Sequence, residues 1–122
     1  MSNFNHRGKN VFYTVDGVGK PIVILNGIMM STKSWTPFVP TLSDRNMLIR
    51  VDFFDQGQTD KLEGTTYGQD IQVDLLAGLL DHLGLAKASI VGISYGGEVG
   101  CLCAITYPER VDRLVLFNTT AA

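Results

Sequence analysis

The 122-residue sequence predicts an α/β fold, a three-layer sandwich on a mostly parallel sheet. Two observations predict it. Residues 21–26 (PIVILN) and 88–93 (ASIVGI) are continuous apolar runs of the kind that suit strands buried on both faces. From residue 21 onward, such runs alternate with segments of helical spacing, the order of a sheet with helices on both faces. Right-handed crossovers then bring the strand ends, and any site, to one edge of the sheet.

The elements follow in order. Residues 10–15 (NVFYTV) have strand composition, and residues 2–8 are a candidate partner strand. Asp16-Gly17 is a turn signal. After the buried run 21–26, residues 34–42 predict a short helix, with Pro37 tolerable only in its first turn. Residues 47–53 (MLIRVDF) read as a strand, and residues 55–64 as a polar loop. From about residue 68 to 83, Ile71, Leu75, Leu76, Leu79, Leu80 and Leu83 recur at helical spacing, and Gly84 is placed to end that helix. Residues 88–93 form the next strand, 95–107 a helix stopped by Pro108, and 111–117 (VDRLVLF) a last strand.

Composition narrows the function. A formal charge of -2 gives no electrostatic case for nucleic acid or an anionic membrane. No apolar stretch reaches membrane-helix length. The polar start MSNFNHRGKN lacks the apolar segment of a signal peptide. Cys101 and Cys103 lie two apart in a helical segment and point to different faces, so no disulfide and no metal site is expected. A cytoplasmic location and no cofactor are the expectations.

Chemistry concentrates in residues 89–98 (SIVGISYGGE), where Gly92-Ile93-Ser94-Tyr95-Gly96 fits G-x-S-x-G. The pentapeptide follows a buried-type strand and opens a helix, the setting in which a serine stands on a tight turn. Gly92 and Gly96 lack the Cβ that would block neighbouring backbone. Ser94 then lies at a helix N-terminus, where free N–H groups favour developing negative charge. Asn26-Gly27 follows the first buried strand. It is either a plain turn or a loop that aims the Ile28 N–H at the same point as the Tyr95 N–H, forming an oxyanion hole. Met29, Trp35 and Phe53, with Met30 and Phe54 nearby, are candidates for an apolar acyl pocket and equally for ordinary core, and Asn26 is a further candidate for the substrate pocket.

These motifs, in this order, resemble the N-terminal half of an α/β-hydrolase fold protein. Ile24-Leu25-Asn26-Gly27 is similar to the family's strand followed by His-Gly. Ser34-Trp35 resembles its step into the first helix, and residues 52–60 (DFFDQGQTD) its D-x-x-G-x-G-x-S-D loop. Residues 79–84, 91–97 and 107–116 are further matches. The resemblance covers nearly the whole chain, so residues 1–122 are expected to form the N-terminal part of a single domain. It implies a serine hydrolase with Ser94 as nucleophile and the backbone N–H groups of Ile28 and Tyr95 as oxyanion donors. Its substrates would be small carboxylic esters or related acyl compounds. Two residues depart from the pattern: Asn26 stands where His is usual, and Asp55 where the first loop glycine is usual.

A serine hydroxyl needs a base. His82, late in the long helix, reads as a surface or helix-end residue, and His6 lies in the polar start. Glu98 reads as a helix residue, and Asp52 and Asp55 as loop hydrogen-bonding groups. In the family the acid and then the histidine follow the nucleophile, which the resemblance places, with the lid, beyond residue 122. The last strand would then leave a hydrophobic sheet edge, which invites self-association or pairing with a C-terminal half. Two other functions share these motifs: a small-molecule-binding or signalling protein on the same fold, and a catalytically incomplete fragment that associates with another chain.

Overall fold

The computed structural model describes residues 2–62 and 68–117. The expected loop end at 63–64 and the residues 118–120 after the last strand lie outside them. The order of elements is β1 (Ser2–His6), β2 (Lys9–Asp16), β3 (Lys20–Leu25), a 3-10 segment (Thr32–Phe38) running into α1 (Val39–Leu42), β4 (Asn46–Val51), α2 (Gln69–Leu83), β5 (Ala88–Ile93), α3 (Tyr95–Thr106), a 3-10 turn (Pro108–Arg110) and β6 (Val111–Phe117).

Among the described residues, six strands join one sheet in the order β1-β2-β4-β3-β5-β6. β1 and β2 form an antiparallel hairpin, and β2 pairs antiparallel with β4. β4, β3, β5 and β6 are mutually parallel. The hairpin is closed by Arg7 and Gly8, both at positive φ (51° and 86°), the backbone of a two-residue turn matched to strand twist. Ser2–His6 thus supply the partner strand expected over residues 2–8, and Arg7 and Gly8 form the turn instead.

Alternation along the strands sorts the core. Val23 and Leu25 of β3, Ile49 and Val51 of β4 and Ile90 of β5 pack with Leu75, Leu76 and Leu79 of α2 and Val99 and Cys103 of α3. Their strand neighbours Ile24 and Leu48 are also buried but belong to the opposite face. There Arg50 Nη1 donates to the Thr32 carbonyl at 3.0 Å, tying the 3-10 segment down. Leu75 and Leu79 have no exposed surface, and each such burial stabilises by about 1.5–3 kcal/mol. α2 ends at Gly84 (φ 69°), where Leu85 N–H reaches back to the Leu80 carbonyl at 2.9 Å.

The helix expected over 34–42 is instead a 3-10 segment followed by one α turn. Pro37 and Pro40 supply no N–H, so an α-helical ladder cannot run through the segment. The strand expected to reach Phe53 stops at Val51. β6 pairs with β5, and among the described residues no strand pairs with its other side. Its Val115 and Phe117 are 45% and 51% exposed. Among the described residues no helix is long and apolar enough to cross a membrane.

Candidate active site

Ser94 stands between β5 and α3 at φ 53°, ψ -117°, a strained backbone for any residue with a side chain. Two glycines permit it. A Cβ on Gly92 would lie 2.6 Å from the Gly96 carbonyl oxygen, and one on Gly96 would fall on the Leu25 carbonyl. The strand therefore turns into the helix with backbone against backbone. Ser94 is exposed, and its N–H donates to the Phe117 carbonyl at 3.0 Å, fastening the turn to the end of β6.

The segment after β3 meets this turn. The Met30 N–H donates to the Gly27 carbonyl at 3.2 Å, and Met29 has φ 70°. This is a tight turn whose third residue is left-handed, a position usually given to glycine. A Cβ on Gly27 would stand 3.5 Å from the Ser94 Cβ, so the Gly27–Ile28 peptide borders the serine directly. A cleft of about 480 Å³ opens beside them, walled by Ile28, Met29, Met30, Phe54, Gln56 and Tyr95, among others. Burial pushes the Tyr95 phenol above its ordinary pKa, against a hydrogen bond with Gln72 that lowers it.

The floor is a network of amides. Asn26, 1% exposed, accepts the Trp35 indole N–H on Oδ1 at 2.7 Å. Its Nδ2 donates to the Val51 carbonyl (3.0 Å), to Gln56 Oε1 (3.2 Å) and, at longer range, to Asp52 Oδ1 (3.4 Å). Gln56 Oε1 accepts the Phe53 N–H at 3.2 Å, and Gln56 Nε2 donates to the Gly27 carbonyl at 3.1 Å. The buried Asp52 accepts from the backbone N–H groups of Thr32 (2.8 Å) and Gln58 (3.0 Å). Gln72 accepts the Phe54 N–H at 3.1 Å.

The residues singled out in the sequence separate into two groups. Ser94, Gly92, Gly96, Tyr95, Ile28 and Met29 gather at the turn and the cleft. Asn26, Trp35 and Phe53 do not wall the cleft. Asn26 and Trp35 bond to each other beneath it, and Phe53 is fully buried with its ring edge-on to Tyr95. Asp52 is a loop-bonding group, and a Cβ on Gly57 would strike its carboxylate. Asp55 adopts φ 70°, so the loop keeps at this aspartate a backbone that suits glycine. Glu98 is exposed on α3 and accepts from Gln69 Nε2 at 3.1 Å. Gln56 and Gln72 were not singled out: an amide in a polar loop or on a helix carries no motif and no period.

Both histidines lie toward the β1 edge of the sheet. His6 is on β1, four strands along the sheet from β5, with its ring 6.3 Å from that of Phe54. Its Nε2 contacts Asp74 at 3.0 Å. His82 stacks on Phe4 of the same edge strand and meets the Tyr13 hydroxyl at 3.2 Å. Among the described residues no group of three or more His, Cys, Asp or Glu could hold a metal ion.

Comparison with known proteins agrees with this fold. A family model described as the alpha/beta hydrolase fold matches residues 20–122. The chain belongs to the α/β-hydrolase fold family. It is 41% identical over 100 residues to a Bacillus subtilis (strain 168) protein provisionally named a 2-succinyl-6-hydroxy-2,4-cyclohexadiene-1-carboxylate synthase, covering 81% of this chain and 36% of that one. It is 37% identical over 105 residues to the 2-hydroxy-6-oxo-2,4-heptadienoate hydrolase of Pseudomonas putida (strain F1), covering 84% and 38%. Among solved structures, MGS-M2, an alpha/beta hydrolase enzyme from a Medee basin deep-sea metagenome library, superposes with a TM-score of 0.91 at 50% identity, covering 94% of this chain and 43% of that one. The chain spans little more than a third of the length of these curated relatives.

Proposed function

We propose that the whole protein is a serine hydrolase that cleaves small carboxylic esters or related acyl compounds through an acyl-enzyme on Ser94. The observation that carries this reading is the strained, exposed Ser94 at the start of α3, bordered by the Gly27–Ile28 peptide. In this reading the Ser94 Oγ attacks the substrate carbonyl carbon. The carbonyl oxygen takes the negative charge and rests against the N–H groups of Ile28 and Tyr95. Collapse expels the leaving group, and water then hydrolyses the acyl-enzyme. The proton acceptor is assigned to sequence outside these 122 residues, because His6 and His82 sit at the far edge of the sheet. The names of two relatives, 2-hydroxy-6-oxo-2,4-heptadienoate hydrolase and 2-hydroxymuconate semialdehyde hydrolase, favour small oxo acids among the substrates. The test is reaction of the whole protein with a fluorophosphonate probe: a single adduct on Ser94 is expected, lost in Ser94→Ala. An unlabelled Ser94 in the whole protein would favour a binding role on the same fold.

A second reading rests on the β6 edge. Its exposed Val115 and Phe117 suit pairing with another strand. Residues 1–122 expressed alone would then self-associate or capture the remainder of the domain. Sedimentation of this segment as a stable, soluble monomer would count against it.

A further inference from the structure

We infer that Gln56 is a positioning residue for the oxyanion hole: its Nε2–H, donated to the Gly27 carbonyl, fixes the Gly27–Ile28 peptide so that the Ile28 N–H faces the reacting oxygen at Ser94. The inference rests on the reading of Ser94 as nucleophile. The Gly27 carbonyl and the Ile28 N–H belong to one peptide unit. Among the described residues no peptide bond is cis, so the two groups point in opposite directions. Whatever holds the carbonyl down therefore holds the N–H up. Two donors do so, the Met30 N–H at 3.2 Å within the turn and Gln56 Nε2 at 3.1 Å from below.

The orientation of the Gln56 amide is itself determined. Trp35 Nε1 is a donor only, so it meets the oxygen of Asn26 and turns Asn26 Nδ2 toward Val51 and Gln56. The Val51 carbonyl is an acceptor only, which demands the same. The Phe53 N–H is a donor only, so it takes Gln56 Oε1, and Gln56 Nε2 is left to face the Gly27 carbonyl. Each amide is fixed at both ends by a group that cannot reverse its role. The chain of bonds from Trp35 to Gly27 thus has one direction. Asn26, where the sequence departs from the family's histidine, is the link that transmits it.

The test measures fluorophosphonate inactivation of the whole protein, separating kinact from KI. Gln56→Met keeps length and volume but removes the donor. Its kinact should fall about tenfold, less than the hundredfold or more that loss of an oxyanion donor costs, with KI within about twofold. Gln56→Glu keeps an acceptor for Phe53 and Asn26 and turns a carboxylate oxygen on the Gly27 carbonyl. Its deficit relative to wild type should be large at pH 8 and narrow toward pH 5, as the protonated carboxyl regains a donor. Thermal melting of both variants across the same pH range reports folding separately, and an unchanged melting temperature assigns the titrating deficit to the Gly27–Ile28 peptide. Wild-type labelling at Ser94 with both variants reacting at the wild-type rate overturns the inference and leaves the nucleophile reading intact. No labelling of wild type overturns the nucleophile reading, and this inference with it.

Discussion

The indole N–H of Trp35 donates to Oδ1 of Asn26 across 2.7 Å, and no other hydrogen bond to that oxygen is seen among the described residues. Trp35→Phe should therefore cost about 1–3 kcal/mol, the penalty of stranding a buried acceptor, beyond any loss of packing. Urea unfolding would measure it. Asn26 and Trp35 changed together should cost less than the sum of the single changes, because they share one bond.

Gly96 and Gly84 should respond very differently to alanine. At Gly96 the new Cβ falls on the Leu25 backbone, so α3 and β3 must separate. We expect a loss at or above the upper end of the roughly 1–3 kcal/mol range for overpacking, together with loss of probe labelling at Ser94. At Gly84 nothing lies within 4 Å of the new Cβ, and only the left-handed φ of 69° resists it. That change should cost about 1 kcal/mol and leave labelling unchanged. Equal losses at the two positions would refute the backbone-contact argument.

Asp74 gives a pH signature. Its hydrogen bond with Arg7, assisted by His6, holds its carboxyl below the ordinary aspartate value of 3.8. A carboxylate depressed in the folded state adds stability above its unfolded pKa and loses it as pH falls through the folded one. The group is partly exposed, so its contribution is under about 1 kcal/mol. Asp74→Asn should thus be slightly less stable than wild type at pH 7, and the gap should close below about pH 4. Chemical denaturation at several pH values checks this, and a gap that widens in acid would contradict it.

The two thiols should differ in reactivity. Cys103 is 2% exposed and its pKa is raised by burial, whereas Cys101 is half-buried. A thiol reagent at pH 8 should modify Cys101 first in the folded protein and both after unfolding. Peptide mass spectrometry would assign the sites.

Much of this architecture was readable from the sequence where one period or one steric rule dominates. The run 88–93 and the leucines of α2 identify their elements because burial selects apolar residues at regular spacing. The Ser94 turn is readable because the close approach of Leu25 to Gly96 leaves no alternative to glycine. The pocket was less legible. Phe53 and Trp35 are aromatic residues near strand ends, but whether such a side chain points into the cleft or beneath it depends on loop backbone. The positive φ of Met29 and Asp55 sets that backbone, and nothing in their chemistry announces it. The amide floor was least legible, since Asn26 and Gln56 meet only after the loops following β3 and β4 converge, and Gln72 of α2 reaches them only through the Phe54 backbone.

Among the described residues, three of the four non-glycine residues at positive φ, Met29, Asp55 and Ser94, lie in the loops and the turn around this cleft. For protein engineering they set a ceiling. Exchanging Met29 for glycine would relax one distorted backbone, and Asp55→Gly another, although the latter forfeits the hydrogen bond from the Leu62 N–H to its carboxylate. Ser94 admits no such remedy, because the exchange that relaxes it deletes the hydroxyl. A selection for heat resistance alone would drift toward removing it, while a selection that also demands turnover would have to find its gains elsewhere in the fold.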